Sequence, residues 1–210
     1  SLGTVVAADN GTFSITSSVL ADADYTLTVT ATDAAGNTSV SSTGLPITID
    51  TTAPTQPSIT TTTALTNDNT PTIEGTAEAG STVELFNGSD SLGTVVAADN
   101  GTFSITSSLL ADADYTLTVT ATDAVGNTSV PSTVLPITID TTAPTQPAIT
   151  TTTALTNDNT PTIEGTTAPG TTVTLLDGDN VLGEVIAAND GSFSITSSVL
   201  ADADYTLTVT

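Results

Sequence analysis

The sequence predicts an all-β protein made of repeated seven-strand Greek-key β-sandwiches. Three observations lead to this fold class. Short segments alternate apolar and polar residues with the period of a strand, no window has helical periodicity, and turn residues recur about every 8–12 positions. The composition agrees, because the chain is rich in Thr, Val and Ile and is punctuated by Gly and Pro.

A unit of 90 residues recurs along the chain. Residues 1–50 share 46 of 50 residues with residues 91–140, and residues 51–120 share 53 of 70 with residues 141–210. Repetition at one period indicates a series of equivalent domains. We therefore expect the C-terminal part of one repeat at 1–50, a complete repeat at 51–140, and the N-terminal part of a third at 141–210. This phase predicts a segment of a longer array.

The first half of the complete repeat contains three predicted strands. In chain order the elements are strand 58–63, turn 66–69, strand 72–76, turn 78–80, strand 82–86 and the hairpin signal Asn87-Gly88. Pro57 makes the first strand an edge strand, since proline cannot donate to a sheet. Alternation predicts that Ile73, Val83 and Leu85 face the core.

The second half contains four predicted strands. In chain order the elements are strand 92–97, turn 99–101, strand 102–106, strand 115–122, turn 123–127 and a last strand containing Leu135, Ile137 and Ile139. The sixth strand has the clearest pattern, because apolar residues at every odd position alternate with threonines. Phe103 and Ile105 of the fifth strand are predicted to face the core. The core is therefore small and mainly aliphatic.

Charge and composition exclude several classes of function. The chain has 23 acidic residues, no Lys, Arg or His, and a formal net charge of -23. Without cationic side chains it cannot neutralise phosphates, so we expect no nucleic-acid binding and no direct membrane contact. The absence of Cys excludes disulfides and thiol chemistry, and zinc is unfavourable without His or Cys. No run reaches the ~18 apolar residues of a membrane-spanning helix.

The motif PITIDTTAPTQP, at residues 46–57 and again at residues 136–147, joins one repeat to the next. It begins as an alternating strand, which Asp-Thr-Thr-Ala-Pro interrupts. Proline lacks an N–H donor and favours an extended conformation in the residue before it, so we expect a taut joint. Asp50 and Asp140 end the strand at the first and second joint.

Strand parity predicts which polar side chains meet at each joint. Successive turns of a seven-strand sandwich alternate between its two ends, so turns of one repeat face turns of the next. The candidate metal ligands at the first joint are Asp22, Asp24 and Asp50 of the leading repeat, which face Glu78, Asp99, Asn100, Asp123 and Asn127 of the next. At the second joint they are Asp112, Asp114, Asp140 and Asp68, which face Asn189 and Asp190.

These carboxylates have no cationic side chain to pair with, and like charges within ~4–6 Å raise one another's pKa unless a cation intervenes. Ca²⁺ accepts roughly 6–8 oxygen ligands in irregular geometry, so we expect structural calcium at the joints. Simpler readings stay open. Asp112 can buttress the adjacent tyrosine, Asp68 and Asp123 can be ordinary turn residues, and Glu78 is Ala168 in the third copy.

Several motifs together resemble a known family. Asp112-Ala113-Asp114-Tyr115-Thr116-Leu117 resembles the tyrosine corner of Ig-like folds. With TNDNTPTIEGT, GTFSIT, DYTLTVTATDAAGNTS and PITIDTTAP, it resembles the bacterial Ig-like repeats of giant type I-secreted RTX adhesins. The resemblance covers all 210 residues. It implies an extender at the surface of a Gram-negative bacterium, in a biofilm-type adhesin, and in some members calcium near the joints stiffens the chain.

The preferred hypothesis is a structural extender: an extended rod of tandem domains, stiffened by calcium, that projects a distal binding domain whose ligand the sequence does not identify. Its expected partners are neighbouring repeats, and self-association between cells stays open. The alternative is a module that binds glycans or surfaces directly. Such sites need exposed aromatic residues, and only Phe86 is expected to point outward. An enzyme is not expected, because the acidic residues lie in turns and the small cores leave no large pocket.

Overall fold

The computed structural model describes residues 1–152 and 155–210, and all regular secondary structure in these residues is β-strand. The chain divides into two compact units, Ser1–Thr141 and Thr142–Thr210. Within the described residues, no helix has the length and apolarity needed to cross a membrane. The all-β prediction is confirmed.

The leading part of the first unit contains one antiparallel pair of strands. Strand β1 (Ala23–Leu27) pairs with β2 (Leu45–Ile49), so that Tyr25 lies opposite Ile47. The two strands correspond to the predicted sixth and seventh strands of a repeat. Strand β2 ends at the first joint and therefore brings the chain to the candidate site.

The complete repeat is a sandwich of two sheets. One sheet contains, in spatial order, β3 (Ser58–Ile59), β5 (Thr72–Thr76) and β8 (Thr102–Thr106). The other contains β4 (Leu65–Thr66), β10 (Leu135–Ile139), β9 (Ala113–Thr122), β6 (Thr82–Asn87) and β7 (Asp90–Val96). Non-sequential neighbours within each sheet give the Ig-like sandwich that the turn spacing predicts.

The first predicted strand needs a correction. The sequence predicts one strand over 58–63, but only Ser58–Ile59 of it forms a strand, β3. A separate strand, β4 (Leu65–Thr66), forms where a turn is predicted to begin, and it belongs to the other sheet. Strand β3 pairs antiparallel with β5, whereas β4 pairs parallel with β10. The residues between them carry the chain from one sheet to the other. Alternation along a single strand does not reveal such a change of partner.

The predicted inward residues form the core of the complete repeat. The side chains of Ile73, Val83, Leu85 and Leu117 are fully buried, and Phe103, Ile105, Val119, Ile137 and Ile139 are buried with them. Gly75 lies in β5 under the ring of Phe103. A Cβ at Gly75 would collide with that ring and with the Ser58 carbonyl oxygen, which explains a glycine inside a strand.

Two local motifs form as the sequence predicts. The loop between β6 and β7 is Gly88-Ser89, with Asn87 opposite Asp90 and a positive φ of 61° at Gly88. The tyrosine corner is present, since the Tyr115 hydroxyl donates to the Ala111 carbonyl at 3.0 Å. Equivalent bonds link Tyr25 to Ala21 and Tyr205 to Ala201. The corner fixes the turn from which Asp112 projects.

The second unit has the same strand order as far as its described residues extend. One sheet contains β11 (Ala148–Ile149), β12 (Thr162–Thr166) and β15 (Ser192–Thr196), and the other contains β14 (Asn180–Ile186), β13 (Thr172–Asp177) and β16 (Leu207–Val209). Its core includes Val173, Leu175, Phe193 and Ile195. These positions are equivalent to core residues of the complete repeat, so the repeated sequence forms the same core packing in both units.

Replacing Leu117 by Ala is expected to destabilise the complete repeat by about 3 kcal/mol, because truncating a fully buried leucine leaves a cavity. Urea unfolding followed by the amide NMR signals of residues 58–139 measures this loss. Leu109→Ala is the control, since that side chain is 74% exposed and its loss should be nearly neutral. Equal effects of the two substitutions would contradict the described core.

Candidate functional site at the repeat joints

Asp22 holds the start of the linker that leaves the leading repeat. Its carboxylate accepts hydrogen bonds from the hydroxyls of Thr51 and Thr52, each at 2.8 Å. Asp22 lies beside the tyrosine corner, whose bond to Ala21 fixes the local backbone. The turn before β1 is thereby fastened to the first residues after β2. This sets the direction in which the chain leaves the repeat.

The same bonds stabilise the charged form of Asp22. The hydroxyl of Thr52, followed by that of Thr51, holds the pKa of the Asp22 carboxyl below its ordinary value of 3.8. The carboxylate is therefore ionised throughout the neutral range although it is one of 23 acidic groups. Here threonine hydroxyls stabilise the carboxylate in place of the cationic side chain that usually does so.

A direct contact crosses the first joint. The side-chain amide of Asn127, in the loop between β9 and β10, donates to the backbone carbonyl of Asp50 at 3.1 Å. The Asp50 carboxylate accepts from the backbone N–H of Thr52 at 3.0 Å. The strand-parity argument places these two turns opposite one another, and for Asn127 and Asp50 the bond bears this out. The complete repeat is thus bonded to the residue that directly follows β2 of the leading repeat.

Asp123 prepares Asn127 for this contact. Its carboxylate accepts from the backbone N–H groups of Val125, Gly126 and Asn127 at 2.8–2.9 Å and from the Asn127 amide at 2.8 Å. Partial desolvation raises the pKa of Asp123, but the bonds from Asn127 and the loop outweigh it and keep that pKa below its ordinary value. All of these bonds lie within residues 123–127, which agrees with the interpretation of Asp123 as an ordinary turn residue.

One contact at the joint was not predicted from the sequence. Gln56 donates from its side-chain amide to the carbonyl of Pro131 at 2.6 Å, and the flanking Pro54 and Pro57 are buried. The linker is thereby fixed against the repeat that follows it. A signal for this was available, because Gln56 and Gln146 are the only glutamines in the chain and each stands in the same PTQP motif.

The other predicted ligands mostly bond to neighbouring groups. Asp24 and Asp114 accept from the hydroxyls of Thr48 and Thr138 across paired strands at 2.5 and 2.6 Å. The remaining bonds run from Thr141 to Asp112, from Thr70 to Asp68, from Thr102 to Asn100 and from Ser192 to Asp190. The Ser192 hydroxyl holds the pKa of Asp190 below its ordinary value.

The remaining predicted ligands lie in or beside other turns. Asp99 and Asn189 lie exposed in the turns before β8 and β15. Asp140 follows β10, and its backbone N–H donates to the Thr66 carbonyl at 3.0 Å. Glu78 is exposed in the turn before β6, where its carbonyl accepts from the Ser81 hydroxyl. The structure therefore distributes the predicted set over several turns.

The oxygen atoms at the first joint are of the type that calcium binds, but the carboxylates are not clustered. Among residues 1–152 and 155–210, no three carboxylates lie close enough together to hold a metal ion. At the first joint, Asp22, Asp50 and Asp123 each accept bonds from hydroxyls or backbone N–H groups near them. Calcium at the joints stays a prediction.

A sequence profile described as a bacterial Ig-like domain matches residues 1–51, 54–141 and 145–210. Chitinase A1 of Niallia circulans is 37% identical over 132 residues, which are 58% of this chain and 18% of that protein. The chain thus spans less than a fifth of this curated relative. The family match covers nearly the whole chain.

Similar solved structures have TM-scores below 0.5. The BSP domain of a biofilm associated protein has 26% identity and a TM-score of 0.29, covering 73% of this chain and 26% of that one. The fibronectin(III)-like modules of Clostridium thermocellum CbhA have 19% identity and a TM-score of 0.44, covering 72% and 82%. The D0-D1 domain of intimin has 16% identity and a TM-score of 0.31, covering 74% and 90%.

Asp22→Asn is expected to lower the melting temperature at pH 7 by about 1–3 °C, because it weakens the fastening of the linker. The folded-state pKa of Asp22 is depressed, so its stabilisation is present above the unfolded-state pKa and is lost as pH falls through the folded-state value. The difference from wild type should therefore be smaller at pH 2 than at pH 7. Thermal melts at both pH values measure it.

Asp90→Asn is the control for Asp22→Asn, because it removes the same charge at an exposed position at the start of β7. It should not lower the melting temperature at either pH. A destabilisation by Asp22→Asn that persists unchanged at pH 2 would contradict a role for the ionised carboxylate.

Asn127→Ala is expected to increase motion between the leading strands and the complete repeat, because it removes the bond to the Asp50 carbonyl. NMR relaxation of residues 23–49 and 58–139 measures this motion. Asn37→Ala is the matched control. Asn37 occupies the equivalent loop position and makes the equivalent bond to Asp33 at 2.9 Å. If both substitutions change the relative motion equally, the loop and not the bridging bond is responsible.

Proposed function

The chain belongs to the bacterial Ig-like domain family, and from this premise we propose that it is a spacer segment of an adhesin-type protein on the bacterial cell surface. Its role is to hold other parts of that protein at a distance from the cell. Families with this fold are typically non-enzymatic, which agrees with a structural role. We do not attribute the activity of chitinase A1 to this chain, because the match covers only 18% of that protein.

The observation that carries the proposal is the bond from Asn127 to the Asp50 carbonyl. A spacer transmits length only if consecutive domains keep a defined orientation, and domains joined by free linkers do not. Here the linker is fixed at both ends, by Asp22 to the repeat before it and by Gln56 to the repeat after it. Buried prolines between these points reduce its freedom further.

The charge of the chain supports the same role. A formal net charge of -23 keeps copies of the chain apart and soluble at low salt. The proposed surface location, with secretion by a type I system of a Gram-negative cell, rests on the motif resemblance. Direct glycan binding stays a prediction without a favouring observation, because Phe86 is partly buried in β6.

Calcium remains part of the proposal as a reinforcement of the joints. The hydrogen bonds described above act at the first joint, and a calcium ion would act in addition to them. A bound calcium ion would reduce repulsion among the carboxylates on both sides of a joint. If calcium reinforces the joint, chelation should increase the motion between the two repeats. If the hydrogen bonds are sufficient, chelation should leave that motion unchanged.

A distance measurement tests the spacer proposal. The chain has no cysteine, so Val40→Cys and Ser89→Cys place one spin label in the leading segment and one in the complete repeat. Both sites are exposed. We expect a narrow distance distribution by pulsed electron resonance, in calcium and in chelator alike, because hydrogen bonds hold the joint.

Adding Asn127→Ala to the labelled chain should broaden the distribution, and Asn37→Ala should not. A broad distribution in both buffers without either substitution would overturn the spacer proposal. A distribution that narrows only in calcium would show that the cation, and not the bond from Asn127, sets the orientation.

A further inference from the structure

We propose that Asn87, in the hairpin between β6 and β7, is a site of spontaneous deamidation, in which the following backbone nitrogen displaces the side-chain amide. The chain contains three Asn-Gly pairs, at residues 10–11, 87–88 and 100–101. Glycine after asparagine favours this reaction, because no side chain shields the attacking nitrogen. The proposal goes beyond the spacer function and is independent of it, since it depends only on the chemistry of one turn.

The reaction needs only water and atoms of the chain. The Gly88 nitrogen attacks the side-chain carbonyl carbon of Asn87 and forms a C–N bond, and its proton passes to the departing amide, which leaves as ammonia. Water then opens the resulting cyclic imide. Cleavage of the new C–N bond gives aspartate, and cleavage of the original peptide bond gives isoaspartate. Each product replaces a neutral side chain by a carboxylate.

The structure leaves both reacting groups of this pair accessible. In the part of the chain that the structure describes, residues 1–152 and 155–210, no group accepts a hydrogen bond from the Gly88 N–H. The side-chain oxygen of Asn87 accepts one long bond, from the backbone N–H of Thr116 at 3.4 Å. Gly88 is exposed, and no atom lies within 4 Å of the position that a Cβ would take there. Attack therefore disturbs one weak bond.

The pair at Asn100 is held by three bonds. Its side-chain oxygen accepts from the backbone N–H of Thr102 at 3.0 Å and from the hydroxyl of Thr102 at 2.8 Å. The attacking nitrogen is also engaged, because the Gly101 N–H donates to the Ala98 carbonyl at 2.8 Å. Equivalent bonds hold Asn10 and the glycine after it. The fold thus makes Asn87 the most reactive of three pairs that are identical in local sequence.

The third repeat has the structure expected of the aspartate product. Asp177 stands there at the position of Asn87 and is also followed by glycine. It lies opposite Asn180 in the same hairpin, as Asn87 lies opposite Asp90. The glycine after it has a φ of 56°, against 61° in the complete repeat. Conversion of Asn87 to aspartate should therefore leave the hairpin intact.

The isoaspartate product should not fit this hairpin. Isoaspartate adds a methylene group to the main chain, and Asn87 is paired on both sides, opposite Asp90 in β7 and opposite Leu117 in β9. The inserted atom shifts both pairings, two residues from the fully buried Leu85. We expect this product to destabilise the end of β6.

Incubation of the full chain at mildly alkaline pH, followed by peptide mass spectrometry, tests the proposal. Pepsin is the suitable protease, because the chain has no Lys or Arg for trypsin and the acidic digestion buffer stops the reaction. In the folded chain, Asn87 is expected to lose its amide at least about tenfold faster than Asn100, a factor that one hydrogen bond can supply. The chain unfolded in urea is the control, where all three pairs should react at similar rates.

Two variants check the physical cause. Thr102→Val removes the hydroxyl bond to Asn100 and should raise the rate at Asn100 about threefold or more without changing the rate at Asn87. Asn87→Asp should melt within about 1 °C of wild type, as Asp177 in the third repeat implies. A chain enriched in isoaspartate by long incubation should melt at a lower temperature than either.

The proposal is overturned if Asn100 or Asn10 reacts as fast as Asn87 in the folded chain. It is also overturned if Asn87 keeps its amide in the folded chain over a time in which the unfolded chain loses it completely. Should Thr102→Val fail to fold, the comparison of folded and unfolded wild type decides alone. None of these outcomes changes the distance distribution between repeats, so the spacer proposal is tested separately.

Discussion

A chain with 23 carboxylates and no cationic side chain must stabilise each negative charge with neutral donors, with water or with ions from solution. Much of the structure follows from the first of these. Threonine and serine hydroxyls and loop N–H groups surround the carboxylates that organise the turns, as at Asp22, Asp114 and Asp123. Hydrogen bonds to a carboxylate favour its charged form, which accounts for the depressed pKa values of Asp22 and Asp123. The abundance of threonine thus serves the charge balance as well as the strands.

The same chemistry connects the fold to the joint. The tyrosine corner fixes the turn that carries Asp22, Asp22 fastens the linker, and Asp123 orders the loop from which Asn127 reaches the Asp50 carbonyl. Each step is a short-range contact within or beside one turn. Because the repeats are nearly identical in sequence, one local arrangement can recur at every joint of a longer array. The proposed spacer would therefore need only a single repeated unit and no dedicated connector.

The two ends of the repeat lie side by side in one sheet. At its beginning, the chain passes from β3 in one sheet to β4 in the other, and at its end β10 lies between β4 and β9. The arrangement closes the sandwich, because β3 and β4 are each an edge strand of one sheet.

The sequence by itself determined most strands of the complete repeat and the side of each of these strands that is buried. Residues such as Ile73 and Leu117 lie in the core because alternation is a property of each strand alone, and the tyrosine corner forms within five residues. Only the tertiary structure decided that the repeat begins with two short strands in different sheets, that Gln56 bonds to Pro131, and that the predicted calcium ligands are spread over separate turns. The physical reason is that a strand edge, an amide or a carboxylate takes whichever donor or acceptor the fold leaves beside it. A periodic pattern records burial, but it contains no information about distant partners.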